Sequence, residues 1–184
     1  MIRLRPLFGL LSAVFVVGLS APTAASAKTW PPSDVVAKAE LPVPADVLFA
    51  QLSDLRVHQA VWMGNCGADW AVGSPATGVG AKAELVVTVG SWQRPLQASL
   101  SRADAPRMEP AFPGRVDLDH AGKKGFIQTW TLTPLGAAGT AVELKTWVAA
   151  PPFPFRRAYF NKVQPGWKAC HAKAIQTLGE LARR

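Results

Sequence analysis

The chain has 184 residues, of which 20 are Lys or Arg and 12 are Asp or Glu, giving a net charge of +8 at neutral pH. A chain of this length is expected to form one domain of ordinary size. The basic residues are not gathered into tracts with interleaved aromatic side chains, so a nucleic-acid partner is not expected and a solvated basic surface is favoured.

The N-terminal residues 1–27 have the pattern of a secretory signal peptide. Arg3 and Arg5 supply a positive start, residues 6–19 are apolar and uncharged, and residues 25–27 (Ala-Ser-Ala) suit a cleavage site. A membrane anchor is the alternative, but the apolar stretch is shorter than the roughly 20 residues that span a bilayer. We expect the mature protein, residues 28–184, to be exported without a stable membrane anchor and, in a Gram-negative cell, to be periplasmic.

Export bears on the two cysteines of the chain, Cys66 and Cys170. An even pair in an oxidising compartment favours a disulfide. Such a bridge would close a loop of about 100 residues and stabilise the fold by roughly 4–5 kcal/mol in the chain-entropy model. Two buried free thiols are the alternative, because the sequence alone does not establish the pairing.

The first part of the mature chain predicts a strand followed by two short helices. Residues 35–43 alternate as a strand, and residues 45–52 place apolar side chains at helical spacing. A second short helix is expected at residues 56–63, where Gly64 and Gly67 follow and would end it.

A series of strands is predicted after these helices. The segments are rich in β-branched or aromatic residues and are separated by Gly, Pro or Asp. They are residues 70–73, 81–89, 94–101, 115–121, 125–133 and 140–149. Period-two alternation gives the series one apolar and one polar face, which is typical of an antiparallel sheet covered on one side.

The C-terminal segment is expected to be the helix that covers the apolar face. Apolar residues from Phe160 to Leu181 recur at steps of three and four. Pro165 lies inside this pattern and should divide it into pieces near residues 155–164 and 167–182. We therefore predict an α+β fold in which a curved antiparallel sheet, of about six or seven strands, wraps around a long C-terminal helix.

Several short signatures accompany this order of elements. They are residues 44–49 (Pro-Ala-Asp-Val-Leu-Phe) with 52–54 (Leu-Ser-Asp), Trp62, 78–80 (Gly-Val-Gly), 125–126 (Gly-Phe) and 139–140 (Gly-Thr). Over about residues 35–181 the chain resembles the START-like (SRPBCC) superfamily of helix-grip proteins, which includes polyketide cyclase/dehydrase and lipid-transport families. The superfamily contains binders, transporters and enzymes, so the resemblance indicates the fold and leaves the chemistry open.

The resemblance implies a ligand cavity between the concave face of the sheet and the C-terminal helix. A mostly apolar lining suits a hydrophobic small molecule or lipid, and a filled core is the alternative. The expected sheet residues are Leu85, Val87, Leu96, Leu100, Leu118, Phe126, Trp130, Leu144 and Val148, and the expected helix residues are Tyr159, Phe160, Val163 and Trp167.

Four polar side chains fall in phase with the apolar faces, and each would need a hydrogen-bond partner. They are His120, Gln128, Thr146 and Tyr159. His120 is a candidate general acid or base because its ordinary pKa lies near 6.5, and Tyr159 and Gln128 would have to converge on it. A structural histidine with a satisfied hydrogen bond is the simpler alternative.

No motif predicts a cofactor or a metal centre: zinc-ligand spacing, a Walker loop and a dinucleotide fingerprint are all absent from the sequence. The favoured function is an exported binding or carrier protein for a hydrophobic small molecule or lipid. The first alternative is a cyclase, dehydratase or isomerase acting on an aromatic or polyketide-like substrate in the same cavity. The second is an envelope protein whose groove holds a peptide or partner.

Overall fold

The structure is a computed structural model. It describes residues 35–63, 66–89, 92–108, 112–121, 126–148, 161 and 163–184, with the side chains of residues 89, 92, 94 and 148 outside that description. The expected signal peptide, Tyr159 and Phe160 also lie outside the described residues.

Seven strands form one curled antiparallel sheet, which confirms the predicted fold class. The strands are β1 (Val35–Leu41), β2 (Ala68–Val72), β3 (Lys82–Val89), β4 (Trp92–Asp104), β5 (Gly114–Ala121), β6 (Phe126–Pro134) and β7 (Thr140–Val148). Their order is β1-β7-β6-β5-β4-β3-β2, so β1 and β2 are the two edges.

The described helices are α1 (Ala45–Leu52), α2 (Leu55–Met63) and α3 (Gln164–Leu181). Pro165 lies in the first turn of α3, which begins at Gln164 and therefore slightly earlier than the predicted residue 167. At that position a missing backbone N–H removes no helical hydrogen bond. The predicted first piece, residues 155–164, lies almost entirely outside the described residues. None of the described helices has the length and apolar character needed to cross a membrane.

Alternation along β6 shows how the sheet acquires its two faces. Phe126, Gln128 and Trp130 are buried on the concave face, whereas Ile127 between them is exposed. The predicted phase of this strand is therefore confirmed. β4 is longer than expected, and a register shift between Leu100 and Arg102 breaks its pairing with β5, as a β-bulge does.

The helices cover different parts of the concave face. α1 packs against β5 and β6, α2 packs against β2, and α3 packs against β1, β7 and α2. The side chains of Leu48 and Leu52 from α1, and of Ile175 and Leu178 from α3, are fully buried in the resulting core. Part of the concave face therefore lies beneath α1, where the predicted arrangement had only the C-terminal helix.

Candidate ligand-binding cavity

A cavity of about 330 Å³ lies among β2, β3, β5, β6, the last turns of α2 and the first half of α3. Its walls are mainly apolar and aromatic. The lining residues are Trp62, Cys66, Ala68, Trp70, Leu85, Val87, Thr88, His120, Phe126, Gln128, Val163, Gly166, Trp167 and Cys170.

The sheet register determines which concave residues reach the cavity. Phe126 of β6 lies opposite His120 of β5, and these two residues form one cross-strand row. Gln128 belongs to the next row, where it lies between Leu118 of β5 and Thr146 of β7. The cavity therefore meets the sheet at the start of β6.

Aromatic rings form a continuous run along the cavity walls. Trp167 meets Phe126 edge to face with ring centroids 5.4 Å apart, and Phe126 stacks on His120 at 4.1 Å. Trp70 meets His120 edge to face at 6.1 Å. Edge-to-face and offset arrangements are those that aromatic rings prefer, so the walls present flat apolar surfaces held in fixed orientations.

His120 forms a buried hydrogen-bonded pair with Gln128. Its Nε2 lies 3.0 Å from Oε1 of Gln128, so Nε2 donates to the amide oxygen and Nδ1 carries the free lone pair. Burial lowers the pKa of His120 to about 3, and the bond to Gln128 opposes this only in part. The imidazole is therefore neutral at physiological pH.

His171 connects α3 to the sheet next to the cavity through two hydrogen bonds. Its Nδ1 donates to the backbone oxygen of Trp167 at 2.6 Å, so its Nε2 accepts the hydroxyl of Thr146, also at 2.6 Å. Burial lowers the pKa of His171 to about 4. Its ring also meets Trp62 edge to face at 5.5 Å. Thr146 and His171 thus connect β7 to α3 and hold two aromatic walls.

Cys66 and Cys170 form a disulfide, with Cα atoms 5.4 Å apart, and both residues line the cavity. The bridge connects the segment between α2 and β2 to the middle of α3. The predicted pairing is confirmed, and the alternative of two free thiols is wrong.

Three buried nitrogen atoms of lining residues have no hydrogen-bond partner within the described part of the chain. They are Nε1 of Trp62, Nε1 of Trp70 and Nδ1 of His120. Buried polar atoms are normally paired. Hydrogen-bonding capacity therefore remains unused around the cavity.

Seven of the residues predicted to bind the ligand line the cavity: Leu85, Val87, His120, Phe126, Gln128, Val163 and Trp167. Six others do not line it and are buried in the core: Leu96, Leu100, Leu118, Trp130, Leu144 and Thr146. The described ring contact of Trp130 is with His58 of α2. The side chain of Val148 and all of Tyr159 and Phe160 lie outside the described residues.

Seven lining residues were not predicted from the sequence: Trp62, Cys66, Ala68, Trp70, Thr88, Gly166 and Cys170. A signal was present for Ala68 and Trp70, because alternation along β2 buries both on one face. For Trp62 the signal was its helical spacing from Leu55 and His58, three buried residues on one face of α2.

No three His, Cys, Asp or Glu side chains within the described residues are grouped so as to hold a metal ion. The exposed large apolar side chains of this part of the chain do not include any on α3. An apolar groove along that helix, as the peptide-binding alternative would need, is therefore not seen there.

No protein-family profile and no curated protein matches the chain. Several solved structures do match the chain. The KanY protein aligns with a TM-score of 0.67 at 17% identity, over 84% of this chain and 100% of its own. This agreement decides the fold. The chain has the helix-grip fold.

Two further helix-grip structures are similar to the chain. A norcoclaurine synthase mutant from Thalictrum flavum, in complex with a transition-state analogue, aligns with a TM-score of 0.59 at 14% identity, over 84% of this chain and 98% of its own. The ZhuI aromatase/cyclase from a Streptomyces species aligns with a TM-score of 0.59 at 12% identity, over 82% and 93%. These similarities confirm the predicted fold. Because the sequence identities are so low, the roles of residues in those proteins are not transferred to this chain.

Proposed function

We propose that this helix-grip protein is an exported binding or carrier protein for a hydrophobic small molecule held in the cavity. The observation that carries the proposal is the lining itself: aromatic and aliphatic walls, one neutral His–Gln pair, and no Asp, Glu, Lys or Arg among the described lining residues. Pockets for apolar ligands combine such walls with a few placed polar groups.

Export is supported by the signal-peptide pattern and by the disulfide. Structural disulfides persist in oxidising compartments and are rare in the cytosol. The bridge between Cys66 and Cys170 belongs to the cavity wall, so the binding site itself would be completed after export.

The fold neighbours support a small-molecule ligand. The Thalictrum protein was solved with a transition-state analogue, and the Streptomyces protein is an aromatase/cyclase. We propose that the cavity of this chain likewise holds a small molecule.

The direct test is native mass spectrometry of the mature protein purified from its own host, followed by solvent extraction. A bound organic molecule is expected. The control is a blocked cavity: Ala68→Phe places a ring in the lining, whereas Ala71→Phe places the same ring on the exposed face of β2. Ligand retained by Ala71→Phe and lost from Ala68→Phe would support the proposal. Protein that is always empty, and whose melting temperature no apolar compound changes, would overturn it.

One observation favours the enzymatic alternative. His120 and Gln128 lie together on the cavity wall and are in place to meet a bound substrate. A pKa of about 3 makes His120 a poor base at neutral pH, however, because general catalysis is most effective when the pKa is near the working pH. Turnover of an aromatic substrate that is abolished by His120→Phe, with ligand affinity unchanged, would favour the enzyme over the carrier.

A further inference from the structure

Building on the proposed function, we infer that the ligand is a flat, uncharged molecule of one or two rings bearing one hydrogen-bonding group. Four properties of the cavity limit the class of ligand: its volume, its aromatic walls, the charge of its lining and its hydrogen-bonded polar pair. A long-chain or diacyl lipid is too large for the volume.

Volume sets the size of the ligand. An engineered cavity of about 150 Å³ binds benzene, and the cavity here is about 330 Å³. Roughly twice the space of a one-ring site accommodates one or two fused rings with a small substituent. It also lies at the lower end of the range of about 300–1,000 Å³ that is usual for ligand pockets.

The walls favour a flat ring system. Trp62, Trp70, Phe126 and Trp167 contribute four large π surfaces, and their contacts with His120, His171 and each other hold them in place. An aromatic guest gains edge-to-face or offset-stacked contacts beyond the burial of its area. A flexible chain gains only the burial and loses rotational freedom on entry.

The lining residues that the structure describes offer no charge to pair with an ionised ligand. Their polar side chains are Thr88, His120, Gln128 and the indole groups, and His120 is neutral. A carboxylate or ammonium brought into such a site would be desolvated without a counter-charge, which is costly.

Gln128 is the anchor for a polar substituent. A primary amide offers two donors and an oxygen with two lone pairs, and His120 uses only one of these sites on the oxygen. Because Gln128 lines the cavity, a ligand hydroxyl or carbonyl placed there can complete its hydrogen bonding. One such group matches the hydrogen-bonded His120–Gln128 pair among the described lining residues.

Equilibrium dialysis of the mature protein against four probes tests the inference: 2-naphthol, naphthalene, 2-naphthoate and palmitate, at pH 7. We expect 2-naphthol to bind about 3- to 10-fold more tightly than naphthalene, the value of one net hydrogen bond. We expect 2-naphthoate and palmitate to bind at least about 30-fold more weakly than 2-naphthol, because an unpaired buried charge costs more than that bond returns.

The outcomes separate the two proposals. Palmitate binding more tightly than the naphthalenes, or 2-naphthoate matching 2-naphthol, would overturn the ligand class and leave the carrier function standing. Binding of none of the probes, together with an empty native protein, would overturn the carrier function itself.

A matched pair of variants tests the anchor. Gln128→Leu should remove the preference for 2-naphthol over naphthalene, reducing the ratio to about 1. Thr146→Val also deprives a buried histidine of its polar partner, but Thr146 does not line the cavity, so the preference should persist. An equal preference in both variants would overturn the role of Gln128. The probe series on the unaltered protein decides the ligand class even where Gln128→Leu does not fold.

Discussion

Trp130 and Trp167 are two large aromatic residues in different surroundings. Trp130 is fully buried against α2 and outside the cavity lining, whereas Trp167 of α3 is half-buried and lines the cavity. The role of each ring follows from what it touches. Trp130 fills part of the core, and Trp167 faces the cavity.

We therefore expect Trp130→Ala to lower the free energy of unfolding by about 3–5 kcal/mol, from lost transfer energy and the void left behind. The Trp130→Ala molecules that remain folded should bind the ligand with the affinity of the unaltered protein. Trp167→Ala should cost less stability and weaken binding by at least 10-fold. Urea unfolding and dialysis of both variants check this. A Trp130→Ala protein that keeps its stability but loses binding would contradict the placement of Trp130 in the core.

At the scale of the elements, the disulfide fixes α3 to the segment between α2 and β2. Cys66 and Cys170 are separated by 104 positions in the chain. A bridge across so long a loop restricts the unfolded chain strongly. Because both cysteines line the cavity, the same bond holds two of its walls together.

Cys66→Ser/Cys170→Ser should lower the free energy of unfolding by about 4–5 kcal/mol on the chain-entropy estimate, and should weaken ligand binding by loosening the wall. The measurement is urea unfolding with and without dithiothreitol. The reductant should bring the unaltered protein to the stability of the double variant and leave the variant unchanged. Identical unfolding curves for the two proteins without reductant would contradict a structural role for the bridge.

At the scale of the whole molecule, all three histidines of the chain are buried and neutral. Burial lowers the pKa of His58 and His171 to about 4, and that of His120 to about 3, from an ordinary value of 6.5. Each regains the ordinary value on unfolding. Below pH 6.5 the unfolded chain therefore binds protons that the native protein does not, and stability falls as the pH falls towards 4.

For each histidine, we expect the free energy of unfolding to fall by roughly 1 kcal/mol for each unit by which the pH is lowered between 6.5 and 4. Unfolding free energies measured between pH 7 and pH 5 isolate the effect, since carboxylates contribute mainly at lower pH. His58→Gln, which removes one of the three groups, should make the slope about one-third shallower. Equal stability at pH 7 and pH 5 would show that the histidines titrate normally in the native state.

The proposed export can be tested with the chain that includes residues 1–27. Expressed in a Gram-negative host, it should yield a periplasmic protein that begins at Lys28, and thiol labelling without reductant should modify neither cysteine. Ala27→Leu, which removes the small residue before the cleavage site, should block processing. Intact mass spectrometry distinguishes the products. An uncleaved cytoplasmic protein starting at Met1 would contradict the signal peptide.

Residue patterns predicted the order of the strands and helices along the chain and the buried face of β3 to β7, because period-two and period-3.6 patterns are local properties. Together with short signatures they predicted the helix-grip fold. Alternation shows which face a side chain lies on, but it does not show which part of the strand borders the cavity. Gln128 and Trp130 share a face two residues apart, yet only Gln128 lines the cavity.

The position of the cavity could not be predicted from these patterns, because it depends on contacts between elements distant in sequence. α1 packs against β5 and β6, α2 contributes the ring contact of Trp130, and Leu118 and Trp130 are buried in the core. The pairing of Cys66 with Cys170, and of His171 with Thr146, likewise arises where α3 returns to the sheet. These contacts join segments far apart in the chain, and residue patterns within single elements carry no information about them.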